Sequence, residues 1–312
     1  MFGAAAAKTP GVFCGPWWIT RNRDVASIMR EIGIGNFPSP LAQSFARLLP
    51  SGGAFHADAV VAKTNLRGFY VASGLTLKFS GAPGPLCNEI AVRQSIVDTP
   101  KVKVPRIHRS STGATPYILG SLVRGARPTE RDITGEFVAN LWSFHLANGM
   151  SAEALSTVID PVALETALDA ALRNFPERAE GLMRGWKKVR DEIDWRSAVP
   201  VGLTHGDLSA SNILVGAEGI HLLDWEQGGR GVVLDDFAKL ALRFPQIVAP
   251  LRDCYENWLG AATPDVQRLL AICLINRFAG LWLTPETAVN RKLQLRRLDL
   301  AEMALKNLAE ET

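Results

Sequence analysis

The chain has 312 residues, 47% hydrophobic and 21% charged, with 34 Lys and Arg against 31 Asp and Glu for a net charge of +3. That length allows one large domain or two lobes. The basic residues are scattered rather than gathered in runs, which argues against a nucleic-acid partner. Cys14, Cys87, Cys254 and Cys273 form no C-x-x-C pair and no cluster with His, which excludes a zinc or disulfide framework and leaves reduced thiols. No stretch approaches the ~18 apolar residues of a membrane span, and the first residues lack the pattern of a secretory signal. A cytoplasmic location without a membrane partner is the expectation.

The first 45 residues carry Gly, Pro, the pair Trp17-Trp18 and one short helical pattern, and read as an arm or cap. Residues 46–123 alternate β-branched and aromatic side chains in "AVVAKTNL", "GFYVASG" and "LTLKFS", broken by Gly and Asn, which predicts an antiparallel sheet. Val60 to Leu77 is too long for one strand, so an additional hairpin tip is expected at "NLRG" or "ASG". "PLCNEIAVRQSIV" then predicts a helix, and "VPRIHRS" and "TPYILGSLV" a further strand pair. The Gly and Pro of "RGARPT" mark a boundary, and residues 124–312 turn helical in "GEFVANLWSFHLANG", "PVALETALDAALRNF", "AEGLMRGWKKVRDEI" and again from Leu234 onward. The expected fold is α+β: a small antiparallel sheet lobe with one helix, followed by a larger, mainly helical lobe. Charge follows the same division, since Met1 to Val123 holds 13 basic and 5 acidic residues, net +8, while Arg124 to Thr312 holds 21 and 26, net −5. A basic first part suits phosphates and an acidic second part a cationic ligand.

The chemistry concentrates in "LTHGDLSASNILV" and "HLLDWE". Asp207 falls in a loop after an apolar strand, Asn212 stands at the start of the next apolar stretch, and Asp224 ends a second short strand. Such a set suits phosphoryl transfer, in which one carboxylate orients the attacking hydroxyl while an Asn and a second Asp hold Mg2+ on nucleotide phosphates. A strand lysine must also meet the phosphates. Lys78 lies between apolar neighbours in "LTLKFS", where a lone charge is costly, and Glu89 on the following helix can pair with it. Plainer roles stay open. Asp207 and Asn212 also suit turns and caps, Glu226 a solvated loop or a substrate contact, and Asp236 a brace or a cap for "DFAKLAL". His205 reads as a brace of the loop rather than a base, and His145 as a packing histidine.

These residues together resemble the aminoglycoside phosphotransferase and choline kinase family, which has the protein-kinase-like bilobal fold. The likeness rests on the H-x-D-x-x-x-x-N of His205, Asp207 and Asn212, the D-W-E of Asp224, Trp225 and Glu226, the "DDFA" containing Asp236, and Lys78 with Glu89. It spans residues 45 to 300 and implies an ATP- and Mg2+-dependent kinase acting on a hydroxyl of a small molecule: an amino- or hydroxyl-bearing metabolite, a sugar or an antibiotic. Asp207 is then the catalytic carboxylate, Asn212 and Asp224 the metal ligands, and Lys78 and Glu89 the phosphate-binding pair, with His205, Glu226 and Asp236 in support. Gly52 and Gly53 could admit phosphates against their backbone, although a simple hairpin fits them too, and the adenine should meet backbone around Ser121 to Val123. Val233 departs from the family pattern, which has proline there. The competing reading is a nucleotide-binding pseudokinase or scaffold with little turnover.

Overall fold

The structure is a computed structural model that describes residues 19–20, 23–24, 56–57, 59–64, 67–72, 75–80, 84–113, 116–260, 265–284 and 288–309. The chain divides into two compact units. One holds the described residues as far as Ser95, then Lys103–Arg127 and Ser211–Glu226; the other holds Ile96–Val102, Pro128–Ala210 and the described residues from Gln227 onward.

The first unit is built on β1 (Ile19–Thr20), β2 (Arg23–Asp24), β3 (His56–Ala57), β4 (Ala59–Thr64), β5 (Arg67–Ala72) and β6 (Leu75–Ser80). After α1 (Pro85–Ser95) and the short β7 (Val102–Lys103) come β8 (Ile107–Ser111) and β9 (Tyr117–Ser121). An antiparallel sheet runs in the order β1-β4-β5-β6-β9-β8. β4, β5 and β6 pair consecutively and antiparallel, so Val60 to Leu77 is not one strand; residues 65–66 and 73–74, where one additional tip is expected, lie outside the described residues. The pleat puts Thr76, Lys78 and Ser80 on one face of β6. Lys78 stands between Phe69 and Ile118 across the sheet. Helix α1 opens with proline at its first position, where the missing N–H costs nothing. Its Leu86 and Ile90 pack with Ile118 and Ile107, and this stripe carries Glu89 inward on the same face. Residues 211–226 add the hairpin of β12 (Ile213–Gly216) and β13 (Gly219–Leu222).

The second unit holds α2 (Gly135–Ala147), β10 (Ser151–Ala154), α3 (Leu155–Val158), α4 (Pro161–Asn174) and α5 (Ala179–Glu192). It continues with β11 (Ala198–Thr204), β14 (Gly229–Val232), α6 (Leu234–Arg243), α7 (Val248–Leu259), α8 (Val266–Trp282) and α9 (Ala288–Ala309). Thr134 and Asp160 cap α2 and α4 through side-chain oxygens that accept from Phe137 and Val162 N–H groups, worth about 1 kcal/mol each. Helix α8 is buried along most of its length, and Leu141, Phe144, Trp186, Phe237, Tyr255 and Trp282 fill the core. Each such side chain contributes roughly 1.5–3 kcal/mol by leaving water. The small sheet β10-β11-β14 has no counterpart in the sequence reading, and it ends β11 at Thr204, paired with Gly229, just before the His205 loop. Among the described residues no helix is long and apolar enough to cross a membrane.

Candidate active site

In the first unit one ammonium is shared by three carboxylates. Lys78 Nζ lies 2.5 Å from Glu89, 2.6 Å from Asp224 and 2.9 Å from Glu226. Burial alone would push the Lys78 proton off; the charges of Glu89, Asp224 and Glu226 together outweigh it and hold the pKa above its ordinary value. Glu89 is 2% exposed and is clamped from the other side by Arg93, 3.0 Å away and one helical turn on, whose guanidinium also donates to the Pro105 carbonyl. Arg93 is a partner of Glu89 that the sequence reading passed over. Its i,i+4 spacing from Glu89 was the available signal.

The D-W-E turn is fixed by its middle residue. Trp225 is fully buried and its Nε1–H donates to the Leu222 carbonyl at 3.2 Å. Asn88 on α1 donates to the Glu226 carbonyl at 3.0 Å, so the helix that carries Glu89 also ties down the turn. Asp224 has φ +64°, a left-handed conformation that is uncommon for a residue with a Cβ and costs of order 1 kcal/mol. Asn212 reaches the same place through the hairpin: its carbonyl accepts from Leu223 N–H at 2.8 Å, beside Asp224. Carboxylate oxygens of Glu89, Asp224 and Glu226 lie within 4.8 Å of one another. Hard oxygen donors around a lysine ammonium are a set that a divalent cation such as Mg2+ would fit.

In the second unit the loop after β11 is held by a buried carboxylate. Asp236, in the first turn of α6, accepts from His205 N–H at 2.6 Å and Gly206 N–H at 3.0 Å. Gly206 has φ +73°, and a Cβ there would stand 2.0 Å from the Gln227 carbonyl, so only glycine fits. Asp207 N–H donates to His205 Nδ1 at 3.2 Å. His205 is buried and braces the loop from within. His145 on α2 adds a second support, its Nδ1 donating to the Leu203 carbonyl at 2.9 Å. Burial holds its pKa below the ordinary value, against the pull of Asp236. Val233 N–H donates to the Pro200 carbonyl at 2.8 Å, a bond that proline could not make.

Two cations that the sequence reading did not single out meet Asp207. Lys239, from α6, pairs with its Oδ1, and Arg277, from α8, approaches the same oxygen at 3.4 Å while donating to Gln227 Oε1 at 3.1 Å. They are 32 and 70 residues from Asp207 in sequence, and only the packing of α6 and α8 brings them there. Asp235, next to Asp236, has a buried Oδ1 that takes no hydrogen bond among the described residues. Burial pushes its pKa up to about 7, against Arg277 and Lys239, which pull it down.

Of the other expected residues, Gly52 and Gly53 lie outside the described residues. Ser121 ends β9, its N–H donating to the Arg106 carbonyl at 3.0 Å and its Oγ 2.8 Å from His108 Nε2, with Val123 two residues on.

A protein-family model described as the phosphotransferase enzyme family matches residues 55–271. No curated protein matches the sequence. Among solved structures, the GDP complex of aminoglycoside 2'-phosphotransferase-IIIa is 14% identical with a TM-score of 0.60, covering 88% of this chain and 99% of its own. ADP-bound aminoglycoside phosphotransferase APH(2'')-Ib is 10% identical, TM-score 0.53, covering 86% and 99%. A thermostable mutant of APH(4)-Ia in ternary complex with AMP-PNP and hygromycin B is 12% identical, TM-score 0.50, covering 85% and 97%. At these identities the likeness is one of fold: α+β and kinase-like, with a small antiparallel sheet lobe and a helical lobe.

Proposed function

Because the chain belongs to the phosphotransferase enzyme family, we propose that it moves the γ-phosphoryl group of ATP to a hydroxyl of a small molecule. The observation that carries this reading is the Lys78 cluster, a strand lysine aimed by a helix glutamate and sharing its ammonium with the carboxylates of the D-W-E turn. Lys78 supplies positive charge for the nucleotide phosphates, and Glu89, anchored by Arg93, keeps it pointed. Asp224 and Asn212, with Glu226 beside them, would hold Mg2+. When bound, that ion neutralises phosphate charge as the bond to the leaving oxygen loosens. Asp207 accepts the proton of the attacking hydroxyl, on a loop kept in place by Asp236 and His205. Nucleotides in the ADP-bound and AMP-PNP-bound neighbours support the choice of ATP. Cys87, Cys254 and Cys273 are free thiols, which supports a reducing, cytosolic setting.

The test is a coupled ADP-release assay with Mg-ATP and a panel of hydroxyl acceptors, with Asp207→Ala alongside. Acceptor-dependent release is expected to fall by about 10²- to 10⁴-fold in the variant while nucleotide binding persists. Equal background release from both proteins with every acceptor, and intact ATP binding, would transfer the assignment to a nucleotide-binding scaffold.

A further inference from the structure

The cations around Asp207 outnumber what that carboxylate can satisfy. Lys239 and Arg277 are only 13% and 11% exposed at their side chains, and both share the single Asp207 Oδ1. Arg297, from α9, is the third. Its guanidinium lies over the Phe278 ring, 4.9 Å from the centroid, and among the described residues it makes no salt bridge. Burial lowers the pKa of Lys239 and of Arg297; the Asp207 charge opposes that shift in both, while the Arg277 charge adds to it, so one carboxylate faces three mutually repelling cations. The nearby carboxylates compensate little. Asp236 spends its oxygens on the His205 and Gly206 amides, and burial pushes the Asp235 carboxyl toward its neutral form. Poorly hydrated cations without enough counter-charge are costly. A guanidinium stacked on a ring is stiffened while its N–H edge stays open, which suits the planar, two-point recognition of a carboxylate or phosphate.

We infer that Lys239, Arg277 and Arg297 form an anion-recognising pocket beside Asp207, and that the acceptor is a small hydroxy compound carrying a carboxylate or phosphate group rather than a neutral sugar or a polyamine. The inference rests on the phosphotransferase reading and names the substrate class for it. It also reverses what bulk charge suggests, since residues 124–312 carry net −5 yet are locally cationic at the reacting carboxylate. The anionic group binds to Arg297 and Arg277, and the hydroxyl is presented to Asp207.

The experiment uses the full chain. Binding of Mg-AMP-PNP is measured first, by calorimetry. The loaded protein is then titrated with glycerate, glucuronate and glycerol 3-phosphate as acids, with glycerol and glucose as their neutral counterparts, and with kanamycin as a polyamine. ADP release is followed for the same compounds with Mg-ATP. The acids are expected to bind and turn over, with kcat/KM at least about 10-fold above their neutral counterparts, and the better of the carboxylate and phosphate arms identifies the group. Arg297→Met should raise KM for the best acid by about 10- to 100-fold, the range of a charged hydrogen-bonded pair. Arg291→Met, on the same helix but stacked on Phe175, should leave that KM unchanged. Preference for a neutral or cationic acceptor, nucleotide binding without acid binding, or an acid KM indifferent to Arg297→Met would each overturn the inference and leave the kinase reading standing. Failure of Mg-AMP-PNP to bind would instead remove the reading beneath it.

Discussion

The two clusters are inverses of each other. In the first unit three carboxylates surround one ammonium, Lys78; in the second, two cations share one carboxylate, Asp207, and a third stands near. A protein at rest gains little from either imbalance, because each leaves like charges close together in poorly hydrated surroundings. Both make sense as receptors. The acidic cluster has room in its charge balance for a divalent cation, and the basic one for an anion.

Lys78→Met breaks the first imbalance outright and carries the largest expected effect on nucleotide binding. Nucleotide affinity should fall by about 10- to 100-fold, and Asp224 and Glu226 should face each other without a cation. Thermal melting with and without Mg2+ sharpens this: the variant should gain more stability from the ion than the parent does, because the ion takes the place of the ammonium. An equal gain in both proteins would mean that the carboxylates are not a cation site.

Asp236→Asn separates the second cluster from its support. The amide can accept from only one of the two N–H groups of the loop, leaving a buried donor unpaired at a cost of about 1–3 kcal/mol. Both melting temperature and turnover should fall, whereas nucleotide affinity, which we assign to the other unit, should not. A loss confined to nucleotide affinity would contradict the assignment.

The smallest effect is expected for Asp235→Asn. In the unfolded chain this carboxyl titrates near its ordinary 3.8, and in the folded protein near 7, so the native state holds the extra proton. Its contribution to stability is therefore complete below pH 3.8 and is lost as the pH rises to 7. The variant should gain on the parent between pH 5 and pH 8, by less than ~1.4 kcal/mol per pH unit, as read from melting curves at the two values. A constant difference would show that the carboxyl is not held protonated.

Much of the fold was legible because local pattern and tertiary role coincide. The alternation of "LTLKFS" both makes β6 and puts Lys78 on the face it shares with Thr76 and Ser80, and the spacing of Leu86 and Ile90 both makes α1 and buries Glu89. The hairpin carrying Asn212 toward Asp224 could be read in the same way, from two short apolar runs. The β10-β11-β14 sheet could not, since β10 is the short, partly polar "SAEA" and its partners lie far along the chain. Nor could the company of Asp207. Lys239 and Arg277 look like ordinary helix charges, and only the packing of α6 and α8 makes them neighbours of the loop. Net charge over 189 residues, read from Arg124 to Thr312, averaged away the local excess of cations beside Asp207.

Helix α6 carries both Asp236, which fixes the backbone at His205 and Gly206, and Lys239, which pairs with Asp207. The two are three residues apart, on one side of the helix. Where Asp207 sits and what charge it feels are thus written into a single turn of helical register. Removing one residue between them, Phe237 or Ala238, would swing Lys239 by about 100° about the axis and uncouple the two. Substitution can adjust either property in small steps, but a change of length within this turn alters both at once.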